Sequence, residues 1–188
     1  MDDPTERKVS PLRPEIDVVP VPAAAPIEIL VAEFSPAMFR VAQSIVGDRS
    51  LAEDIVQEAL VRVWLHLDDY RGDAPLKNWA LRITHNCAIS YLRKRRDESR
   101  DPETLSALPS EHTGADVART VVARSAMHDV WAALDQLDPV TRSIVILREV
   151  EHLSYDEIAD ILELALPTVK TRLFRARRTL SVQLEEWK

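Results

Sequence analysis

The sequence predicts an almost all-helical protein. Only three of its 188 residues are glycine, and apolar side chains recur at the three- and four-residue spacing that buries one face of an α-helix. Helix-start signals, such as Asp138 before Pro139 and Ser154 three residues before Glu157, separate these stretches. Because 46% of the residues are hydrophobic, the chain can bury a core. We therefore expect an all-α fold.

The helical pattern is interrupted twice, which divides the chain into four segments. Residues 1–26 contain six prolines and no helical period, so we expect a disordered, proline-rich tail. Residues 27–96 and 123–188 each have the pattern of a helical domain. Residues 97–122 are polar, acidic and proline-containing, as a flexible linker is. We expect two small helical domains on a flexible tether.

The composition excludes several classes of protein. A single cysteine, Cys87, rules out an internal disulfide and a cysteine-rich zinc site. The five histidines do not pair at metal-ligand spacing, so we expect neither a metal nor a cofactor. The sequence contains no run of 18 apolar residues, so it predicts no transmembrane helix. It also contains no apolar signal-peptide core. We therefore expect a cytoplasmic protein.

The charge distribution matters more than the net charge of −7. Residues 68–96 carry seven cations against three carboxylates, and residues 167–188 carry six against two. The local potential decides whether a surface attracts phosphate. These two basic segments, one in each domain, are therefore the candidate surfaces for nucleic acid.

The first domain contains a helix that we expect to begin at Ser50, with Glu53 completing a capping box. Six apolar residues at helical spacing form its expected buried stripe: Ile55, Val56, Ala59, Leu60, Val63 and Trp64. Asp54, Gln57 and Glu58 share the opposite face with Val61. On this pattern alone, an ordinary solvated surface is favoured over an interface.

A loop with an aromatic residue and several turn residues, 67–75, leads into the basic helix 76–96. Trp79, Ile83 and Leu92 are its expected core residues. Arg82, Asn86 and the cations 93–96 form a polar surface around Tyr91. Aromatic side chains beside cations suit single-stranded nucleic acid, because a base offers a face to stack on. The alternative for the cations 93–96 is a solvated helix end favoured by the helix dipole.

The sequence of the second domain predicts four helices, and the last two of them form a recognisable pair. The third helix is capped by Ser154 and Glu157, and a short turn separates it from a helix that buries Val169, Leu173, Ala176 and Leu180. Residues 167–178 contain five cations and no carboxylate. A capped helix, a tight turn and a basic helix have the shape of a helix-turn-helix, whose second helix enters the DNA major groove.

Five sequence blocks follow one another across the two domains: residues 52–58, 71–73, 79 with 82–86, 134–138 and 168–177. In this order they resemble the extracytoplasmic-function (ECF, group 4) sigma factors of bacterial RNA polymerase, in the sigma-70 family. The resemblance implies a region 2-like and a region 4-like domain that bind core polymerase, recognise the −10 and −35 promoter elements and initiate transcription. It implies that the chain itself catalyses no reaction. It also implies that an anti-sigma factor controls the chain.

The resemblance also implies roles for individual residues. Asp54, Gln57 and Glu58 match the surface that docks on the β′ clamp helices of polymerase, and the second domain is expected to meet the β flap. The −10 element is implied to contact Asp69, Tyr70, Arg71, Gly72, Trp79, Arg82 and Asn86. The −35 element is implied to contact Lys170, Thr171, Arg172, Phe174, Arg175 and Arg178.

The chain departs from the family pattern in the turn of the helix-turn-helix. Glu163 stands where the family usually has glycine, and Pro167 stands where a small residue is common. We therefore expect either that Glu163 adopts a backbone conformation that glycine adopts more easily, or that the turn differs from the family's.

Two other functions compete with the sigma-factor interpretation. A conventional helix-turn-helix regulator would act without polymerase, but its partner domain should contain strands and a ligand or phosphorylation site. A small helical hydrolase would need a glycine-rich phosphate loop, a metal cluster or a nucleophile elbow, and the sequence has none of these.

Overall fold

The computed structural model of the protein describes residues 27–98 and 130–183, and every structural statement below refers to those residues. In the first domain the helices are α1 (Ile27–Val46), α2 (Arg49–Leu65) and α3 (Leu76–Glu98), with a 3₁₀ turn at Leu67–Asp69. In the second they are α4 (130–135), α5 (Pro139–Val145), which continues as a π-helical turn (Ile146–Val150), α6 (Tyr155–Leu162) and α7 (Leu166–Gln183).

The described residues contain no strand, which confirms the predicted all-α fold. The predicted tail, 1–26, and the linker from residue 99 onwards lie outside the described ranges. Helix α3 ends at Glu98, two residues beyond the expected end of the first domain.

Helix α2 begins earlier than the sequence predicted. Asp48, not Ser50, is the N-cap, and its carboxylate accepts a hydrogen bond of 2.7 Å from the backbone N–H of Leu51. Gly47 precedes it with φ of +74°, a left-handed conformation that costs glycine little. This turn leaves Asp48 with extended backbone angles, which an N-cap requires, whereas Ser50 already lies within the helix.

The predicted buried stripe of α2 is wrong at Trp64, which is 48% exposed. Val56 is 7% exposed and Leu60 is half-buried, so exposure rises along the row of residues four apart. Each step of four residues in an α-helix advances about 40° beyond a full turn. The row therefore turns away from the core, and Trp64 at its end meets solvent.

The caps of the second domain follow the sequence prediction. Asp138 accepts a hydrogen bond from the backbone N–H of Thr141 before Pro139 starts α5, and Ser154 and Glu157 form a complete capping box on α6. Glu163 ends α6 with φ of +53°, which confirms that it adopts a left-handed conformation. A non-glycine residue there carries a strain on the order of 1 kcal/mol.

The two domains pack against each other. Helix α1 contacts α5 and the π-helical turn, and α3 contacts α6, so one apolar cluster runs through both domains. Polar contacts join them as well: Glu151 pairs with Arg40 at 2.6 Å and with Lys77 at 2.9 Å. The sequence predicted a flexible tether between the two domains but not their relative orientation. The structure gives that orientation.

A buried histidine on α3 makes the stability of this arrangement sensitive to acid. His85 is 5% exposed, and its Nδ1 has no hydrogen-bond partner among the described residues. Burial lowers its pKa from 6.5 to about 4. The folded protein therefore holds the imidazole neutral, whereas the unfolded chain takes up a proton below pH 6.5.

We predict that this histidine makes the free energy of unfolding fall as the pH drops from 7.5 to 5. A shifted pKa is worth about 1.4 kcal/mol per unit, so the loss from this group is about 2 kcal/mol over that interval. Urea unfolding of the wild type and of His85→Gln at both pH values checks it. The carboxylates and the other histidines are common to both proteins, so an equal fall in the two would contradict the prediction.

Candidate nucleic-acid interface

The loop between α2 and α3 and the first turns of α3 form an aromatic cleft. The rings of Tyr70 and Trp79 lie 5.5 Å apart at an interplanar angle of 43°. The Tyr70 hydroxyl donates a hydrogen bond to the carbonyl of Ala74, which closes the loop on itself. Burial and the charge of Asp73 raise the pKa of Tyr70, so the phenol stays neutral. Gly72 turns the loop with φ of +76°.

The cleft has a volume of about 350 Å³ and combines two aromatic rings with two guanidinium groups and three carboxylates. Its lining residues are Asp69, Tyr70, Arg71, Asp73, Ala74, Trp79, Arg82 and Asp160. Ring faces can stack on a base, and guanidinium groups can pair with its phosphate. The structure thus brings together five of the predicted −10 residues, and Gly72 shapes the loop that holds them.

Two residues differ from the sequence prediction for this cleft. Asn86 is exposed and lies seven residues after Trp79, on the same side of α3, but it does not line the cleft. Asp160 does line it, and it belongs to α6 of the second domain. No local pattern near residue 70 or 80 could have revealed Asp160, because it arrives through the packing of the two domains.

Helix α7 has one buried and one exposed face, as an amphipathic recognition helix requires. Val169, Leu173 and Ala176 are buried against the second-domain core. The exposed side chains include Lys170, Thr171, Phe174, Arg175, Arg177 and Arg178. Phe174 is 70% exposed, although an aromatic ring gains free energy from burial. An apolar side chain on such a face suits contact with a thymine methyl group.

Arg172 differs from the other predicted recognition residues because its guanidinium already has partners. It donates hydrogen bonds of 3.0 Å to the carboxylate of Asp138 and of 2.9 Å to the hydroxyl of Thr141. Burial raises the pKa of Asp138, but the hydrogen bonds from Thr141 and the charge of Arg172 outweigh it and lower the pKa. Arg172 therefore fastens α7 to the start of α5.

Arg177 is fastened in a similar way. Its guanidinium donates hydrogen bonds of 2.7 and 2.9 Å to Glu149 on the π-helical turn. Lys170, Arg175 and Arg178 have no side-chain partner among the described residues. The cations of α7 thus divide into two that hold the helix in place and three that are available to a ligand.

The exposed face of α2 is partly apolar. Asp54, Gln57 and Glu58 are exposed, as predicted, and Glu58 pairs with Arg62 at 2.5 Å. Val61 is 56% exposed and Leu65 is 69% exposed, and both continue the same side of the helix. Exposed apolar side chains next to a polar strip are typical of a protein–protein interface. Sequence patterning placed Trp64 in the core and so missed part of this surface.

The described residues contain no group of three or more histidine, cysteine, aspartate or glutamate side chains that could hold a metal ion. None of the helices in the described ranges is long and apolar enough to cross a membrane.

Comparison with known families divides the chain in the same way as its folding. Residues 30–98 match Sigma-70 region 2, and residues 127–180 match Sigma-70 region 4. The first match contains α2, the aromatic cleft loop and α3. The second contains the helix-turn-helix of α6 and α7 up to Leu180.

Similar proteins come from several bacteria. The chain is 32% identical to the ECF RNA polymerase sigma-E factor of Escherichia coli K12 over 139 residues, which is 70% of this chain and 73% of that protein. It is 29% identical to the RNA polymerase sigma-H factor of Pseudomonas aeruginosa over 165 residues, 84% of this chain and 86% of that protein.

A solved structure extends the similarity to three dimensions. The sigma factor RpoE of Bartonella quintana, determined in complex with the anti-sigma factor NepR, matches with a TM-score of 0.67 and 28% identity, over 84% of this chain and 96% of that one. The matches to both sigma regions, the two relatives and this solved structure all indicate the same family. The chain belongs to the ECF sigma factors of the sigma-70 family.

Proposed function

We propose that this chain directs core RNA polymerase to promoters by dividing the work between its two domains. The first domain binds polymerase through α2 and captures the −10 element in the aromatic cleft, and the second reads the −35 element with α7. The observation that carries this proposal is the pair of rings, Tyr70 and Trp79, set beside Arg71 and Arg82 in a cleft of about 350 Å³. A regulator that reads only duplex DNA has no use for such a cleft.

At the −10 element the proposed role is to trap a base that has left the duplex. Unstacking a base costs a few kcal/mol, which a specific pocket must offset. The aromatic faces offer stacking worth about 1–3 kcal/mol per base. Arg71 and Arg82 provide positive charge for the adjoining phosphates. Asn86, on the same side of α3, extends this surface with an amide that can hydrogen-bond to a base edge.

At the −35 element the proposed reader is the exposed face of α7. Lys170 and Thr171 lie in its first turns, the part of a recognition helix that reaches base edges. Phe174 and Arg175 follow one turn later on the same exposed side. Arg178 lies further along, where a phosphate contact is expected. Arg172 is assigned here to orientation of the helix as well as to DNA contact.

The partners follow from these surfaces. The face of Asp54, Gln57 and Glu58, with the exposed Val61 and Leu65, is the proposed contact for the β′ clamp helices, and the second domain is proposed to meet the β flap. The chain itself catalyses no reaction and acts where polymerase acts, in the cytoplasm. The similar RpoE was solved with an anti-sigma factor, and we expect such a partner here.

The α2 surface is tested by reversing its charge. We predict that Asp54→Arg with Glu58→Arg weakens binding to core polymerase, because two carboxylates of the docking face become cations. Both residues are exposed, so the free energy of unfolding should change by no more than about 0.5 kcal/mol per site. Co-purification with core polymerase measures the binding. Glu28→Arg with Glu33→Arg makes the same charge change on α1, and equal binding by both double variants would refute the surface.

The −10 assignment is tested at Asn86. We predict that Asn86→Ala reduces open-complex formation by polymerase while duplex binding by the second domain stays unchanged, because only the trapped base loses a partner. Permanganate footprinting on a promoter selected with core polymerase detects the unpaired thymines. Ser90→Ala, one turn further along α3, is the matched control. Normal melting by the Asn86→Ala protein would remove this residue from the base pocket.

The −35 assignment is tested by alanine variants of the five cations in 170–178. We predict that at least one of Lys170, Arg172 and Arg175 reads a base, so its loss costs about 1–3 kcal/mol and relaxes specificity at one position. Loss of Arg178 is expected to weaken binding to all sequences alike and to lower the salt slope by about one. Loss of Arg177, which pairs with Glu149, is also expected to weaken binding to all sequences alike, because α7 loses a contact that holds it in place. Binding to a −35 mutant series at two salt concentrations distinguishes these outcomes, with Gln183→Ala as control. If all five variants behave as phosphate contacts, α7 does not read bases directly.

A further inference from the structure

The two paired arginines of α7 lie at the two borders of its buried face. Successive residues of an α-helix are about 100° apart around its axis, which gathers the buried Val169, Leu173 and Ala176 into one stripe. On the same geometry, Arg172 lies about 70° to one side of the centre of this stripe, and Arg177 lies about 70° to the other. These borders are the places from which a side chain can tie the helix to the elements beneath it.

The partners of these arginines belong to two different elements. Arg172 donates hydrogen bonds of 3.0 Å to both carboxylate oxygens of Asp138, the N-cap of α5. Arg177 donates hydrogen bonds of 2.9 and 2.7 Å to one oxygen of Glu149, on the π-helical turn. We call Asp138 and Glu149 the anchors. Because they hold opposite borders, a rotation of α7 about its axis in either direction pulls at least one arginine away from its anchor.

The apolar contacts of α7 fix its rotation less sharply than the anchors do. Hydrophobic burial is non-directional, and Ala176 offers the core only a methyl group. A rotation of about 15° moves a side-chain tip that lies about 6 Å from the helix axis by about 1.6 Å. A hydrogen bond stays favourable over a range of only about 0.5 Å in length. A rotation that the core accepts therefore breaks contacts between the exposed face and a base.

The anchor pairs contribute more to orientation than to stability. The side chains of Arg172 and Arg177 are 38% and 50% exposed, and ion pairs as exposed as these add little to the free energy of unfolding. The Asp138 anchor also adjoins the proposed reading face, since it lines one groove of about 570 Å³ together with Thr171 and Arg175. The anchors are thus placed to control side chains that are proposed to read bases.

We propose that Asp138 and Glu149 are positioning residues that determine the −35 specificity of the second domain. Acting through Arg172 and Arg177, they fix the rotation of α7 and so determine which of its exposed side chains meet the bases. Either anchor alone still holds one border, so the loss of one weakens binding to all sequences alike. Loss of both frees the rotation and relaxes the reading of several adjacent base pairs. This inference rests on the proposed function, since it takes α7 to be the −35 reader.

The test removes the anchors one at a time and together in the full-length chain. Asp138→Asn keeps the cap of α5, because asparagine caps a helix as well as aspartate does, but it removes the charge that faces Arg172. Glu149→Ala removes the acceptor of both Arg177 hydrogen bonds, whereas glutamine would keep the oxygen that accepts them.

The matched control is Asp156→Asn with Glu33→Ala, which deletes two exposed carboxylates and so changes the net charge equally. The probes are a promoter selected with core polymerase and the series of its single-base-pair −35 variants. Competition binding by each protein together with core polymerase measures the discrimination at every −35 position. Circular dichroism and urea unfolding report folding.

The number of relaxed positions separates a positioning role from a base contact. A side chain that reads a base gives roughly 5- to 150-fold discrimination at one position, and its loss relaxes that position alone. The double variant should instead lose at least about fivefold of discrimination at two or more adjacent positions. Each single variant and the control should keep the wild-type profile. A folded double variant that keeps this profile, or that relaxes one position only, overturns the inference.

A charge swap keeps the inference testable if the double variant does not fold. In the Asp138→Asn protein, Glu149→Arg sets two cations against each other and should relax the −35 profile. Adding Arg177→Glu rebuilds the pair in reverse and should restore the profile. If Arg177 only contacted phosphate, the added glutamate would repel DNA and weaken binding further. Failure to restore the profile therefore contradicts the anchor role.

The wild-type protein separates failure of this inference from failure of the proposed function. If it discriminates among the −35 variants while the double variant or the charge swap behaves against expectation, only the anchors are overturned. If it binds all −35 variants equally, α7 is not the reader, and the −35 assignment and the inference are both contradicted.

Discussion

The buried carboxylate of Glu151 belongs to the second domain, but both cations that balance its charge come from the first. Burial would raise its pKa, and the hydrogen bonds from Lys77 and Arg40 outweigh this and lower it, so the group remains ionised. A buried carboxylate without partners costs on the order of several kcal/mol. The second domain therefore keeps this side chain buried only while the first is in place. The position of α6 over α3, and the composition of the cleft, depend on that pairing.

Local signals predicted most of the fold because they act within a few residues of sequence. The Asp138 cap and the Ser154–Glu157 box depend on hydrogen bonds across three residues, and the left-handed Glu163 follows from where α6 has to stop. The error at Ser50 has the same origin. Asp48 and Ser50 are both good N-caps two residues apart, and only the turn at Gly47 selects between them.

The candidate site was predictable where its residues are close in sequence and not where domain packing supplies them. Tyr70, Trp79 and Arg82 fall within thirteen positions, and the loop and helix bring them together. The ion pair of Arg172 with Asp138 spans 34 residues, and Asp160 reaches the cleft from a different domain. The exposure of Trp64 depends on the rotation of α2 relative to its neighbours. A helical pattern carries no information about any of these three.

Glu157 connects two parts of the structure that sequence patterning treats separately. One of its oxygens accepts the backbone N–H of Ser154 at 2.8 Å, and the other accepts the Asn78 amide at 2.9 Å. Aspartate is one methylene shorter and reaches less far, and glutamine has a single acceptor oxygen, so its amino group would face one of two donors. Glutamate alone satisfies both. A substitution of Glu157 therefore changes two features at once: the cap at the start of the helix-turn-helix and the surface that packs on the other domain. In evolution these two features cannot change independently.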